Sequence, residues 1–214
     1  MTTTRRTVLG AAAAASLLAQ FTGTASAAAD DKWGTVTDGW AEVRWTGQVQ
    51  AELDRLGAVV EAVAPARLVT DSRGSAVRFP VGSGKGDPSL RRLSEARGSG
   101  VLDGGIEVRT PTGGFRIVNP ESVLRDGVAS GKCTVNGVEI GHRSVFRCGL
   151  AEGLLTTDGA PVGQPLTVRI GEVPLRPTPE LLEVYTATFG APVFDADTVL
   201  AYVTAEGVYT PPKP

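Results

Sequence analysis

Both cysteines and the only histidine of this 214-residue chain fall in one stretch, CTVNGVEIGHRSVFRC, as Cys133, His142 and Cys148. Thiolate and imidazole build zinc sites and catalytic dyads, so the stretch is the first place to look for chemistry. A closed zinc site takes four ligands, and the chain offers only three Cys and His side chains. Any Ser-His-Asp or Cys-His arrangement would have to use His142. Neither a G-x-S-x-G elbow nor an H-E-x-x-H pair occurs. His142 follows Gly141 between two strand patterns and is expected as a solvated loop side chain rather than a general base. The chemistry left to the stretch is that of the two thiols together. In an oxidising compartment they are expected to pair as a Cys133–Cys148 disulfide. The closed loop spans about 15 residues, for which chain entropy predicts about 3 kcal/mol of stabilisation.

Carboxylates are the other candidates. Asp30-Asp31 lies in the lead-in to the folded part, and Asp195-Ala196-Asp197 precedes a strand pattern. A paired-carboxylate hydrolase remains an alternative. The second pair, however, reads as turn caps, and two carboxylates are too few oxygens for a calcium site. No catalytic, cofactor-binding or metal-ligating residue is assigned.

The elements that must hold these residues are mostly strands. Trp40-Ala-Glu-Val-Arg-Trp45 alternates as a strand, and TGQVQAELDRLG carries Val49, Leu53 and Leu56 at helical spacing before Gly57. AVVEAVAPA is expected as a buried strand ending at Pro65, and AVRFPV as a second. GSGKGDPSLRRLSEARGSG is expected as a polar loop; its spacing is not that of a phosphate loop. From Gly100 onward, GIEVRT, GFRIVN, SVLRDGVASGKCTV, GVEIGH, SVFRCGL and PLTVRIG follow one another between glycines. Asn136-Gly137 marks a tight hairpin. Thr178-Pro179-Glu180 opens a helix with an N-cap, a first-turn proline and a first-turn acid. Leu181, Leu182, Tyr185 and Phe189 line one face of it, so Tyr185 is expected to pack against the sheet. TVLAYVTAEGVY closes the domain. The spacing predicts a mainly β fold: an antiparallel sandwich, immunoglobulin-like or barrel-like, with one or two short helices.

The compartment is written at the N-terminus. Arg5 and Arg6 precede an Ala/Leu-rich core from about Val8 to Ala19, and Ala25-Ser26-Ala27 is a small-x-small site. Residues 1–27 are expected as a signal peptide cleaved between Ala27 and Ala28. The Arg5-Arg6 pair favours the twin-arginine type over an ordinary secretory leader. Residues 28–214 are then a single secreted domain. Removing the leader takes 21 basic residues to 19 against 23 acidic, a net charge of −4. That balance argues against nucleic acid and anionic membrane surfaces. No later segment is apolar enough for a membrane span.

Trp33-Gly34, the glycine-rich GVLDGGIEV followed by FRIVNPESVLRDG, and the closing TPELLEVYTATFGAPVFDADTV together resemble the HtaA-type haem-binding domain of bacterial secreted and surface proteins. The resemblance implies a β-sandwich with a short helix. It also implies haem held by a tyrosine near the domain start, supported by a histidine in the central glycine-rich stretch. Neither ligand has a counterpart here: Trp33 to Leu56 contains no tyrosine, and GVLDGGIEV carries Asp103 and no histidine. Tyr185, Tyr202 and Tyr209 all lie near the C-terminus. The expected function is therefore a secreted, non-enzymatic HtaA-like module with no assigned cofactor, binding an unidentified ligand or an extracellular or cell-wall partner. Haem held through a non-family ligand and the carboxylate hydrolase are the alternatives.

Overall fold

In the computed structural model, residues 33–87, 92–161 and 163–212 are described. The leader, its Arg5-Arg6 pair, the Ala27-Ala28 junction and Asp30-Asp31 lie outside them. Twelve strands and two α-helices follow in the order β1 (Gly34–Trp45), α1 (Gly47–Arg55), β2 (Val59–Val63), β3 (Arg67–Asp71), β4 (Gly74–Asp87), β5 (Arg97–Leu102), β6 (Gly105–Thr110), β7 (Gly113–Val123), β8 (Val128–Val135), β9 (Val138–Cys148), β10 (Leu154–Thr157), β11 (Leu166–Pro177), α2 (Pro179–Phe189) and β12 (Ala201–Thr210).

All the pairings are antiparallel, and the sheet closes on itself. The circuit runs β7-β5-β4-β1-β12-β11-β9-β8 and back to β7, an eight-stranded barrel. Four strands lie off the circuit: β6 on β7 with β2 beyond it, β3 on β4, and β10 on β11. The barrel-like form of the expected β fold is thus the one adopted, with two short helices.

Closure needs local kinks, and the backbone supplies them at bulges. The ladders shift register between Thr37 and Trp40, Val118 and Glu121, and Ile170 and Val173. Each shift holds a non-glycine residue in the left-handed region, Asp38 at φ 48°, Asn119 at φ 47° and Glu172 at φ 56°. The fourth such residue is Asn136 at φ 51°, followed by Gly137 at φ 80°, in the two-residue turn joining β8 to β9. Successive positive φ values are what this tight hairpin needs, and Asn-Gly meets them at low cost.

Two expectations are corrected. The glycine-rich run around Gly82–Gly86 is not a loop but the second half of β4, with Gly84 opposite Gly100 and Gly86 opposite Gly98 on β5. A Cβ on Gly98 would come within 2.5 Å of the Lys85 carbonyl oxygen and 2.9 Å of the Gly86 Cα. Here glycine permits close approach of two strands rather than chain flexibility. The following segment forms a 3₁₀ turn, Leu93–Glu95, whose Leu93 is buried with Ala96 and Val173. The second correction is β2. Its apolar run predicts a buried strand, but it sits at the sheet's outer end, and Val59 is 54 % exposed. Among the described residues it pairs with β6 alone, and the cis Ala64–Pro65 peptide follows it.

Both helices begin where the sequence places them. Thr46 and Thr178 cap them by accepting hydrogen bonds at Oγ1 from the Val49 and Leu181 amides. Among the described residues, no helix is long and apolar enough to cross a membrane.

Candidate functional site

The side chains that alternate inward from the barrel strands do not fill it. They leave a cavity of about 280 Å³ opening to solvent. Its walls include Phe79 from β4, Ile117 from β7, Phe146 from β9, Ile170 from β11 and Val203 from β12. An eight-stranded barrel is just wide enough for its own side chains or one small ligand. This one leaves space near the lower end of the range for small-molecule pockets, roughly 300–1,000 Å³. Two buried clusters abut the cavity and share Phe79 and Ile117 with its wall. Ala66, Val77 and Phe79 form one, and Ile117, Cys133 and Val145 form the other, with Leu181 of α2 packed against it.

The polar lining gathers where β4, β5 and β7 meet. Ser83, Lys85, Arg97, Ser99 and Glu121 all border the cavity and are exposed to solvent. Among the described lining residues Glu121 is the one carboxylate. Its Oε1 lies 3.1 Å from Nε2 of His142. A paired-carboxylate active site is therefore not assembled here, since glycoside hydrolysis needs two carboxyl groups across a shared substrate.

His142 is exposed as expected, though on strand β9 opposite Lys132 rather than on a loop. Asp195 caps a turn, accepting hydrogen bonds from the Asp197 and Thr198 amides at 3.0 Å and from the Thr198 hydroxyl at 2.8 Å. Those bonds, led by the hydroxyl, hold its carboxyl below the usual range. Asp197 reaches Arg147 at 3.4 Å instead. Among the described residues no group of three or more His, Cys, Asp or Glu side chains could hold a metal ion.

The expected disulfide is not made: Cys133 and Cys148 are free thiols. The hairpin that was to bring them together keeps them apart. Cys133 on β8 lies opposite Gly141, whereas Cys148 at the end of β9 bonds through its amide to the Gly127 carbonyl, before β8 begins. Six positions along β8, at about 3.3 Å per residue, place the Cα atoms far beyond the roughly 7 Å limit for a bridge. The spacing in sequence matched a closed loop, but both cysteines sit at staggered positions in the ladder. Burial pushes both thiols up to about 11, with Arg143 partly opposing this at Cys133. Both are therefore protonated and weakly nucleophilic at neutral pH. Cys148 borders the cavity.

Sequence reasoning missed Glu52. Val49, Leu53 and Leu56 stand at helical spacing, yet Glu52 is the residue of α1 that is buried, at 5 % exposure. Its carboxylate takes Arg55 Nε at 2.6 Å and the Tyr185 hydroxyl at 2.5 Å. Tyr185 therefore does not simply pack on the sheet. It ties α2 to α1, with its ring edge-on to Phe189 and Phe194. The bond from Arg55 leads in holding Glu52 below the usual carboxylate range, against the cost of burial. Burial, with the bond to Glu52, raises the Tyr185 phenol well above its ordinary value. A second buried acid, Glu42 on β1, is neutralised by Arg78 at 2.7 Å and Arg44 at 2.7 Å. Both are structural ties outside the cavity lining.

The three tyrosines separate in space. Tyr185 serves the helix pair, Tyr202 is 44 % exposed, and Tyr209, at 7 % exposure, borders the cavity. Tyr209 belongs to β12 and Glu121 to β7, four steps apart in the eight-strand circuit and so on opposite walls. Glu121 holds His142 on its own side, away from Tyr209. A tyrosine ligand backed by a histidine is not present in this donor set, and the residues do not fit the haem site that the sequence resemblance implies.

No protein-family model and no curated protein matches the chain. Among solved structures it is similar to the C-terminal domain of HtaA from Corynebacterium glutamicum, with a TM-score of 0.50. The match is 12 % identical in sequence and covers 82 % of this chain and 99 % of that one. The likeness is one of fold, and it reaches nearly the whole of the other domain.

Proposed function

We propose that this chain is a non-enzymatic binding module that takes an apolar small molecule into the open lumen of its barrel. The cavity of about 280 Å³ with its aliphatic and aromatic wall carries this reading. Binding rather than catalysis is supported by the composition of the lining, where one carboxylate, held by His142, stands without a second acid or an activated nucleophile among the described residues. Apolar surface left open to water inside a rigid barrel is a standing free-energy deficit that an apolar ligand relieves, at roughly 25 cal/mol per Å² covered. Export through residues 1–27, with the domain of 28–214 acting outside the cell, is part of the same proposal.

Titration with the neutral dye N-phenyl-1-naphthylamine tests it. Its fluorescence should rise and shift to the blue, saturating at one dye per chain. Ala205→Phe, which fills the lumen from β12, should abolish that signal while leaving the far-ultraviolet circular dichroism unchanged. An unsaturable signal, or one unaffected by Ala205→Phe, rules out the lumen as the site. Export is tested separately: Arg5→Lys with Arg6→Lys should leave precursor inside the cell, and normal secretion of that variant would remove the twin-arginine reading.

A further inference from the structure

Part of the lumen wall is backbone with almost no side chains on it. Directly paired residues share a face of a sheet. The pairs Val36–Gly84, Gly84–Gly100, Gly100–Ser122, Ser122–Ala129 and Ala129–Phe146 link β1, β4, β5, β7, β8 and β9 through one row of positions. All six residues border the cavity. The row faces inward: a Cβ on Gly84 would meet the Val36 side chain at 3.0 Å, and Phe146 packs against the buried cluster of Ile117, Cys133 and Val145. Ser99, Val101, Glu121 and Val123 alternate with it and stand on the outer face. From Gly84 to Ser122 the row crosses two strand spacings, roughly 10 Å.

Three observations say what this wall fits. The first is the use the chain makes of the adjoining glycine. Gly34, paired with Gly86 on the same face, has the ring of Tyr209 lying over it, 2.4 Å from where a Cβ would be. A flat ring covers bare strand backbone over its whole face, where a puckered group would touch it at few points. Over Gly100 the same kind of space is open, since a Cβ there would have a single neighbour, the Ser83 carbonyl oxygen at 3.5 Å. The second is the Ser122 hydroxyl, half-buried beside Gly100 and without a hydrogen-bond partner among the described residues. A hydroxyl facing an apolar space gains from any ligand oxygen placed within its reach. The third is size. An apolar cavity of about 150 Å³ takes one benzene ring, so about 280 Å³ has room for two fused rings. The row holds no charged side chain, and a charge brought against it would lose its hydration without compensation.

We propose that the ligand is an uncharged, flat bicyclic aromatic bearing one hydroxyl group. Its ring face lies on the Gly84–Gly100 backbone, and its oxygen meets Ser122 Oγ. This rests on the lumen being the binding site and names the chemical class that the lumen takes.

The test is competition for the lumen-bound dye at neutral pH by three molecules. They are 2-naphthol, naphthalene, which lacks the hydroxyl, and decahydro-2-naphthol, which carries it on puckered rings. 2-Naphthol should displace the dye at a concentration roughly fivefold lower than either of the others, the size of effect that one net hydrogen bond gives. Ser122→Ala should bring 2-naphthol to the level of naphthalene, and the fold does not depend on a hydroxyl that has no partner. Gly100→Ala, which sets a methyl group between ring and backbone, should bring it to the level of decahydro-2-naphthol. The nearest atom to that methyl group, at 3.5 Å, is in ordinary contact, so the strand should accept it. Equal displacement by 2-naphthol and naphthalene, or a preference that survives Ser122→Ala, overturns the part given to Ser122. Equal displacement by 2-naphthol and decahydro-2-naphthol overturns the flat ring. Either result leaves the lumen reading intact. Displacement by none of the three overturns the ligand class even where the dye binds, and a dye that does not bind removes the lumen reading and this one with it.

Discussion

The ring of Tyr209 occupies the space that a side chain on Gly34 would need. A Cβ at position 34 would lie 2.4 Å from Cε2 and Cζ of that ring and 2.4 Å from the Thr210 carbonyl oxygen. β1 and β12 are paired here, with Val36 opposite Tyr209, so the glycine and the aromatic meet across one ladder at the rim of the lumen. The relationship is mutual: the glycine admits the ring, and the ring covers backbone that a glycine leaves bare.

Gly34→Ala should therefore destabilise the fold by about 1–3 kcal/mol, the usual range for overpacking. Urea denaturation followed by tryptophan fluorescence measures it. Because a backbone carbonyl is as close as the ring, adding Tyr209→Ala should not restore the loss. Full recovery in the double variant would show that only the ring mattered.

The helix tie gives a second prediction. Tyr185→Phe removes the donor to a carboxylate that is 5 % exposed, leaving Glu52 with Arg55. Losing a hydrogen bond to a charged group should cost about 1.5–3 kcal/mol. The pH dependence follows from the direction of the Glu52 shift. Its pKa is depressed in the folded state, so its contribution is present above the unfolded value and is lost as pH falls through the folded one. Stability should drop on acidification below about pH 4.5, the ordinary value for Glu. The drop should be smaller in Glu52→Gln, and an identical acid profile in that variant would dissociate Glu52 from it.

Free thiols predict the reverse of a stapled hairpin. Reductant should leave the denaturation midpoint where it was, and alkylation of unfolded protein should modify two cysteines per chain without prior reduction. Both thiols are raised to about 11 from an ordinary 9.0, so in the folded state they keep their protons longer than in the unfolded chain. Their contribution is complete below pH 9 and is lost as pH climbs toward 11. A midpoint that falls by several kcal/mol equivalents on adding reductant would restore the cross-link.

What the sequence discloses and what it hides follow one pattern. Local signals were legible: Asn136-Gly137 turned where the hairpin needed it, Thr46 and Thr178 capped their helices, and inward and outward residues alternated along β12. Relations between distant strands were not. Nothing local reveals that Gly84 and Gly86 face Gly100 and Gly98, because glycine in a loop and glycine between close strands look alike in sequence. Cys133 and Cys148 flank one hairpin, yet a bulge and the ladder offset decide how far apart they lie. The shift of register between Val81 and Ser83 on β4 could not have been noticed either. It depends on how β4 and β5 pair in a closed barrel, and short polar-glycine runs give no hint of closure.

Haem provides the last prediction. The fold likeness invites the experiment, and the positions of the tyrosines and the histidine give its expected result. An axial ligand needs an accessible donor in an apolar site with an electronic partner to tune it. Tyr185 gives its hydroxyl to Glu52, and Tyr202 is 44 % exposed on the barrel. Tyr209 borders the lumen, but the only histidine is held by Glu121 on the opposite wall. Cys148 borders the lumen as well, with its thiol raised to about 11 and so protonated at neutral pH. Haemin added to the purified chain should give a broad absorption that rises without saturating at one equivalent, unchanged by Tyr209→Phe. A sharp Soret band saturating at one haem per chain and lost in Tyr209→Phe would make this tyrosine an axial ligand, and would make haem the molecule that the lumen holds.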